Sequence, residues 1–184
     1  NITVFDALKK SDYDLKGKFF LERYVSAHSI MISFEGIPAL YFNSLFGKSN
    51  DEAKYIITGN NRDVNRYKWN YKNISKKLDN KNSKQSIFYQ KISHLLSVRR
   101  KQKAFHPNAS RHNINLGSKI FSFKRISINK KQTIICITNL SSKTQGAHIN
   151  KIYHNWNNLI GSKIEIKNKL LILKPFETIW LSNR

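Results

Sequence analysis

Apolar side chains in the first hundred residues recur with the period of an α-helix in two segments. One segment spans 16–35, with apolar or weakly polar positions at Phe20, Tyr24, Ala27, His28, Met31 and Ile32. This spacing predicts a helix with one buried face, on which His28 is a packed side chain. A second helix is predicted over about 83–103, with Ser83 as its N-cap and Pro107 beyond its end. Its inward face is predicted to carry Phe88, Ile92, Leu95, Leu96 and Arg99.

A short, unbroken apolar stretch lies between these two helices. Residues 37–42 read Ile-Pro-Ala-Leu-Tyr-Phe, which predicts a strand buried on both faces, with Pro38 near its start. Gly36 stands where a helix C-terminal glycine belongs. A polar segment follows from 43 to about 82, with a short helix possible near 71–74. A helix, a buried strand and a long charged loop succeed one another in a (β/α)8 barrel, where the loops after the strands build the active site.

After residue 108 the pattern changes to short strands separated by turns. Strands are predicted at 120–128, with an interruption near Lys124 and Arg125, and at 133–138, near 164, at 170–173 and at 178–181. Short strands with turn residues between them predict an antiparallel β-sandwich. The predicted fold class is therefore α/β plus all-β. Residues 1–107 are predicted to be the last helix–strand–helix portion of a (β/α)8 TIM barrel, and 108–184 a C-terminal antiparallel β-sandwich.

The composition adds a strong positive charge to this picture. The 184 residues are 40% hydrophobic and 12% aromatic, and the formal net charge is +22. Such a charge favours nucleic acid or an acidic surface as a partner. However, the lysines are scattered among Asn, Ile, Tyr and Phe, and no basic run is interleaved with aromatics in a recognisable nucleic-acid-binding motif. Nucleic-acid binding is therefore an alternative from a different class.

Neither a disulfide, a cofactor, a metal nor a membrane segment is predicted. Cys136 is the only cysteine and lies in an apolar run, which indicates a core residue and not a nucleophile. No apolar stretch approaches the roughly 18 residues that span a membrane. The polar N-terminus does not look like a signal peptide, so a cytoplasmic location is expected. The chain also lacks an initiator Met, and we expect it to be a processed chain or the remainder of a longer protein.

The most specific motif lies between residues 36 and 66. It reads GIPALYF, then SLFG, then Asn50-Asp51, then TGNNRDVNR. This segment resembles the eighth strand and following loop of the sucrose phosphorylase family, a branch of the alpha-amylase superfamily. The wording YF-x-S-L-x-G resembles the glucosylglycerate and sucrose-6-phosphate phosphorylase branch more than sucrose phosphorylase itself. Other segments resemble the family in collinear order, at 1–8, 87–107, 158–161 and 173–181.

The resemblance implies one substrate-binding residue and no catalytic residue in this chain. In the superfamily a nucleophilic Asp, an acid/base Glu and a stabilising Asp follow the fourth, fifth and seventh strands, which would all precede residue 1. Arg62 matches the first Arg of the family's GRxxNR-type motif, which implies that its guanidinium helps to hold the terminal glucosyl unit. Asp63, Asn65 and Arg66 are expected to support the loop or to contact the substrate.

The sequence departs from the family's wording at two positions. Asn61 replaces the Gly before Arg62, which is tolerable because Asn also visits the left-handed backbone region. Asn43 stands where close relatives often carry His, so contacts to the acceptor are expected to differ.

The function implied by the resemblance is that of the C-terminal segment of a retaining glucoside phosphorylase. The whole enzyme would transfer a glucosyl unit between phosphate and a small acceptor, such as glyceric acid or a fructose derivative, through a glucosyl-enzyme intermediate. Its partners would be a small-molecule glucoside and phosphate, with no membrane. The chain alone is expected to be inactive, because the N-terminal barrel portion would be required. The alternatives are a fragment of an alpha-amylase-type glycoside hydrolase or transglycosidase and a basic nucleic-acid-binding module.

Overall fold

A computed structural model of the chain describes residues 1–11, 16–161 and 163–184. It divides into two compact units. The first unit comprises Asn1–Val25 and Ala39–Ser93, and the second comprises Ser26–Pro38 and His94–Arg184. No described helix is long and apolar enough to cross a membrane.

Helices supply the regular structure of the first unit. They are α1 (Val4–Lys10), the first part of α2 (Phe20–Ser33), α3 (Phe42–Leu45), α4 (Glu52–Thr58), a 3-10 helix (Asn61–Asn65), α5 (Tyr71–Asp79) and most of α6 (Lys84–Arg100). The hydroxyl of Ser83 accepts a hydrogen bond from the backbone N–H of Ser86 at 3.1 Å. The predicted N-cap of α6 is therefore confirmed.

Aromatic side chains form the core of the first unit. The rings of Tyr24 and Phe88 meet edge to face at 4.7 Å, and Phe5 lies 6.0 Å from Phe88. The hydroxyl of the buried Tyr24 donates to the carbonyl of Ser44 at 2.6 Å, because a buried phenol needs a polar partner. Gly47 completes this core, since it has a φ of +57° and a Cβ there would lie 3.0 Å from the Phe88 ring. A side chain at this position would meet both backbone strain and a clash.

Two antiparallel sheets make up most of the second unit. The strands are β1 (Ser110–Asn113), β2 (Ile120–Ile126), β3 (Thr133–Asn139), β4 (Gln145–His148), β5 (Asn157–Asn158), β6 (Glu165–Lys167), β7 (Leu170–Leu173) and β8 (Thr178–Ser182). One sheet has the order β1-β2-β3-β8-β5 and the other the order β4-β7-β6. A single hydrophobic cluster draws residues from both sheets, including Ile135 and Ile137 of β3 and Leu171 and Leu173 of β7.

The middle of the larger sheet is buried on both faces. Six of the seven residues of β3 are buried, among them Cys136 at 2% exposure. Burial raises the pKa of the Cys136 thiol to about 12, so this side chain behaves as a core residue, as predicted. The indole of Trp180 on β8 is fully buried and packs edge to face on Phe105 at 4.8 Å.

Two buried arginines cap the C-terminal end of α2, where backbone carbonyls have no helical partner. Arg125 donates to the carbonyls of Ser33 at 2.7 Å, His106 at 2.9 Å and Ala109 at 3.2 Å. Arg99 donates to the carbonyls of Ile32 and Phe34, and to that of Gly36 at 2.8 Å. Positive charge at this end of a helix also complements the helix dipole.

Strand β2 differs from the sequence prediction at Lys124 and Arg125. An interruption was predicted near Lys124 and Arg125, but β2 runs unbroken from Ile120 to Ile126, and each residue faces a partner on β3. Arg125 is fully buried within it. The prediction was wrong because the carbonyls that accept from the guanidinium come from distant segments, which local sequence does not show.

The predicted strand at 37–42 is absent. Residues 37–41 have no regular structure, Ile37 is 84% exposed, and the chain enters α3 at Phe42. A strand is stabilised by hydrogen bonds to its neighbours, and no other strand occurs among the described residues before Ser110. The architecture is therefore helices together with antiparallel sheets, and the barrel portion and the sandwich stay predictions.

Limited proteolysis tests the predicted boundary at 107/108. We expect brief trypsin digestion to spare a C-terminal fragment that begins between residues 94 and 112, because both sheets and their shared core lie after that point. The 33 Lys and Arg residues offer cleavage sites throughout the chain, so protection reports structure and not sequence. Mass spectrometry of the surviving fragments gives the boundary. Preferential survival of residues 1–105 would contradict it.

Candidate functional site

The segment that carries Arg62 begins at α3, and its end is hydrogen-bonded to the side chain of Asn43 on that helix. This side chain is 3% exposed. Its amide nitrogen donates to the backbone carbonyls of Asn65 at 3.2 Å and Tyr67 at 3.0 Å, and its oxygen accepts from the indole N–H of Trp69 at 2.8 Å. We call residues 43–69 the Arg62 loop, and Asn43 closes its base.

Short-range contacts shape the middle of the Arg62 loop. The carboxylate of Asp51 caps α4 by accepting from the N–H of Lys54 at 3.3 Å, and Gly59 ends that helix in the left-handed region at a φ of +63°. The backbone N–H of Asp51 also donates to the carbonyl of Val64 at 2.7 Å. Asn60 caps the 3-10 helix by accepting from the N–H of Arg62 at 3.0 Å. These hydrogen bonds, together with the closure at Asn43, hold the backbone around Arg62.

Arg62 itself is exposed, and its guanidinium forms no hydrogen bond or ion pair with the residues that the structure describes. A guanidinium carries five donors in a fixed planar arrangement. Hydroxyl or anionic groups of a ligand can therefore reach these donors without displacing a protein partner.

Asp63 supports the loop. Its carboxylate lies 2.8 Å from the ammonium of Lys54, and the side chain is 16% exposed. The hydrogen bond from Lys54 lowers the pKa of this carboxyl, and the charge of Arg66 acts in the same direction. The carboxylate is thus already engaged by the loop itself. Asn65 contributes its backbone carbonyl to Asn43, and Arg66 is exposed.

Asn61 lies inside the 3-10 helix and not in the left-handed region, where the only non-glycine residues described are Lys16, Lys130, Asn168, Lys169 and Phe176. The replacement of Gly by Asn at this position therefore requires no unusual backbone. The carbonyl of Asn61 accepts from the side chain of Asn1 at 2.7 Å.

A carboxylate outside the loop, that of Asp6, also has a structural role. Asp6 accepts from the backbone N–H of Asn50 at 2.5 Å, and the side chain of Asn50 accepts in turn from the N–H of Thr3 at 2.9 Å. Asp6, Asp51 and Asp63 thus each hold backbone or an ammonium group. Among the described residues no group of three His, Cys, Asp or Glu side chains could hold a metal ion.

Sequence reasoning placed the four predicted residues on one short segment, and the structure brings Arg62, Asp63 and Asn65 together on the 3-10 helix with Arg66 directly after it. The sequence prediction did not include the hydrogen bond between Asn43 and Trp69. The only sequence signal for Asn43 was its departure from the expected His, which suggested an acceptor contact. The side chain is buried, so in this structure a small acceptor does not reach it.

The fold is similar to part of solved alpha-amylase-family structures. The crystal structure of an Anoxybacillus alpha-amylase superposes with a TM-score of 0.70 at 15% identity, covering 99% of this chain and 35% of that one. No model of a known protein family matches the chain.

Curated relatives of the chain are glucosylglycerate phosphorylases. The enzyme of Escherichia coli K12 is 28% identical over 182 residues, which are 98% of this chain and 31% of that protein. The enzyme of Allomeiothermus silvanus is 36% identical over 108 residues, which are 59% of this chain and 20% of that protein. The chain therefore spans about a third or less of these relatives and corresponds to their C-terminal part. The resemblance found in the motifs at 36–66 is confirmed.

Proposed function

We propose that the chain is the C-terminal part of a retaining glucoside phosphorylase, which transfers a glucosyl unit between phosphate and a small acceptor such as glycerate. The observation that carries this proposal is the match over 98% of the chain to a glucosylglycerate phosphorylase. A small-molecule glucoside and phosphate are then the substrates, and the cytoplasm is the compartment we propose.

The catalytic carboxylates belong, on this proposal, to the part of the enzyme that precedes the matched segment. Retaining transfer needs a nucleophilic carboxylate and an acid/base carboxyl about 5 Å apart. Asp6, Asp51 and Asp63 do not supply such a pair, because each is held by backbone groups or by Lys54.

Arg62 is the substrate-binding residue of the proposal. Its guanidinium is exposed and lacks a described partner, while the backbone that carries it is fixed by Asn60 and by the closure at Asn43. Because the backbone is already held, only the side chain of Arg62 has to become ordered when a ligand binds. Asp63 and Asn65 support this loop, and Arg66 extends the positive surface next to it.

The barrel portion at 1–107 and the sandwich at 108–184 are part of the same proposal. The apolar residues 37–42 are exposed or half-buried here, which suits a segment that pairs with neighbouring strands in the complete enzyme. The shared hydrophobic cluster of the two sheets supports the sandwich.

We expect the isolated chain to release no glucose 1-phosphate from glucosylglycerate and phosphate, because it lacks the carboxylate pair. A chimera in which this chain replaces the C-terminal 31% of the E. coli enzyme is expected to be active. The measurement is glucose 1-phosphate formation by both proteins, with the unaltered E. coli enzyme as control. Activity of the pure chain, or a folded but inactive chimera, would contradict the proposal.

The same assay separates the alternatives. Release of glucose without dependence on phosphate indicates a hydrolase, and formation of new glucosides indicates a transglycosidase. The charge of +22 is the observation that favours a nucleic-acid-binding module. Tight binding of the chain to DNA or RNA with a steep salt dependence would support that alternative.

A further inference from the structure

The amide of Asn43 uses its donors and its acceptor across a long stretch of chain. Asn65 and Tyr67 each receive one of its N–H groups, and Trp69 donates to its oxygen. The bonded residues are separated from Asn43 by 22, 24 and 26 positions. The side chain therefore joins the start of the Arg62 loop to its end.

We infer that Asn43 is a positioning residue for Arg62. Asn65 is the last residue of the 3-10 helix that presents Arg62, and its carbonyl is one of the groups that Asn43 holds. Arg62 therefore depends on Asn43 for its orientation although the two side chains do not touch. This inference rests on the proposed function for its catalytic consequence, and on the structure alone for the closure of the loop.

The chemistry of the three partners specifies the residue type. Two backbone carbonyls only accept, and an indole N–H only donates, so the closing side chain must supply two donors and one acceptor at once. A primary amide does this. Aspartate has the same shape and no donor, so Asn43→Asp turns two hydrogen bonds into contacts between oxygens while changing no volume.

The rest of the loop has independent supports, so the effect is expected to be local. Val64 accepts from the backbone N–H of Asp51, and Asp63 pairs with Lys54. At the base, the Trp69 ring meets Phe46 at 5.8 Å. These contacts keep the segment folded when the amide is lost, while the 3-10 helix that presents Arg62 and the residues after it, up to Trp69, gain freedom.

Hydrogen exchange in the full chain tests the closure. Asn43→Asp and Asn43→Ala are expected to speed exchange in peptides covering 60–69 by at least about tenfold, with the sheets of the second unit unchanged. Asn73→Asp, an exposed position on α5 with the same change of charge, is the control and should leave 60–69 unchanged. Unchanged exchange at 60–69 in both Asn43 variants overturns the inference. Acceleration across the whole first unit also overturns it, because Asn43 would then be a general folding residue.

Kinetics of the chimera test the link to Arg62. If Asn43 acts through Arg62, then Asn43→Asp lowers kcat/KM. The total loss in the double variant with Arg62→Lys, relative to the unaltered chimera, is then clearly smaller than the product of the two single losses. Independent, multiplying effects overturn the positioning role. An inactive chimera contradicts the proposed function and leaves hydrogen exchange to decide whether the loop closes through Asn43.

Discussion

Replacing Arg125 with Met is expected to lower the free energy of unfolding of the second unit by about 3 kcal/mol. The guanidinium is fully buried and donates to the carbonyls of Ser33, His106 and Ala109. Hydrogen bonds that involve a charged group contribute about 1.5–3 kcal/mol each. Relief of the buried charge offsets part of this loss, because burial lowers the pKa of Arg125. Met is chosen because it keeps the side chain long and apolar, so that lost donors and not a cavity determine the result.

Arg111 provides the matched control because it faces Arg125 across β1 and β2. Its guanidinium pairs with Glu35 at 2.8 Å, and both side chains are partly exposed, at 31% and 42%. Exposed ion pairs contribute about 0–1 kcal/mol, so Arg111→Met should cost far less. Urea unfolding followed by circular dichroism measures both variants. Equal losses in the two would show that the buried carbonyl contacts contribute nothing beyond an ordinary surface arginine.

Helix α6 shows how much of the fold local sequence determines. Its N-cap at Ser83 and its buried positions Phe88, Ile92, Leu95 and Arg99 follow from side-chain spacing and capping chemistry. Strands β3, β7 and β8 were predictable for a similar reason, since short apolar runs with β-branched or aromatic residues between turn residues favour extended backbone. These features depend on residues close to one another in sequence.

Nearby residues do not determine whether the segment 37–42 forms the predicted strand. An apolar run shows that a segment avoids water, but a strand also needs neighbours that complete its hydrogen bonds. Those neighbours are absent from the described residues before Ser110, and residues 37–41 are irregular up to the start of α3 at Phe42. Whether such a segment forms a strand therefore depends on pairing partners that lie outside the segment.

The candidate site likewise has features that nearby residues determine and features that distant residues determine. The motif around Arg62 located the loop, and Asn60 as the cap of the 3-10 helix is a local feature. The closure by Asn43 is different, because its partners lie more than twenty positions away and no spacing rule links an Asn to two carbonyls and an indole. Sequence reasoning therefore identified what the loop presents and missed what holds it.

Arg62→Lys in the chimera is expected to lower kcat/KM for glucosylglycerate phosphorolysis by at least about tenfold, equivalent to about 1.4 kcal/mol of transition-state stabilisation. Arg62 is exposed on a 3-10 helix, and its guanidinium forms no hydrogen bond or ion pair with the described residues, so the substitution should leave the fold intact. Lysine keeps the charge but loses the planar pair of donors that can bind adjacent sugar hydroxyls or a carboxylate bidentately.

The size of the loss depends on when these contacts form. Hydrogen bonds to a sugar that strengthen as its ring flattens contribute to the transition state as well as to binding, so kcat should fall and not only KM rise. Arg100→Lys, on an exposed position of α6, controls for the general effect of exchanging one cation for another. Steady-state rates of glucose 1-phosphate formation at saturating phosphate separate kcat from KM. Arg62→Lys kinetics equal to those of Arg100→Lys would show that Arg62 is only a charge on the loop, and the substrate-binding role would have to pass to another residue of the segment.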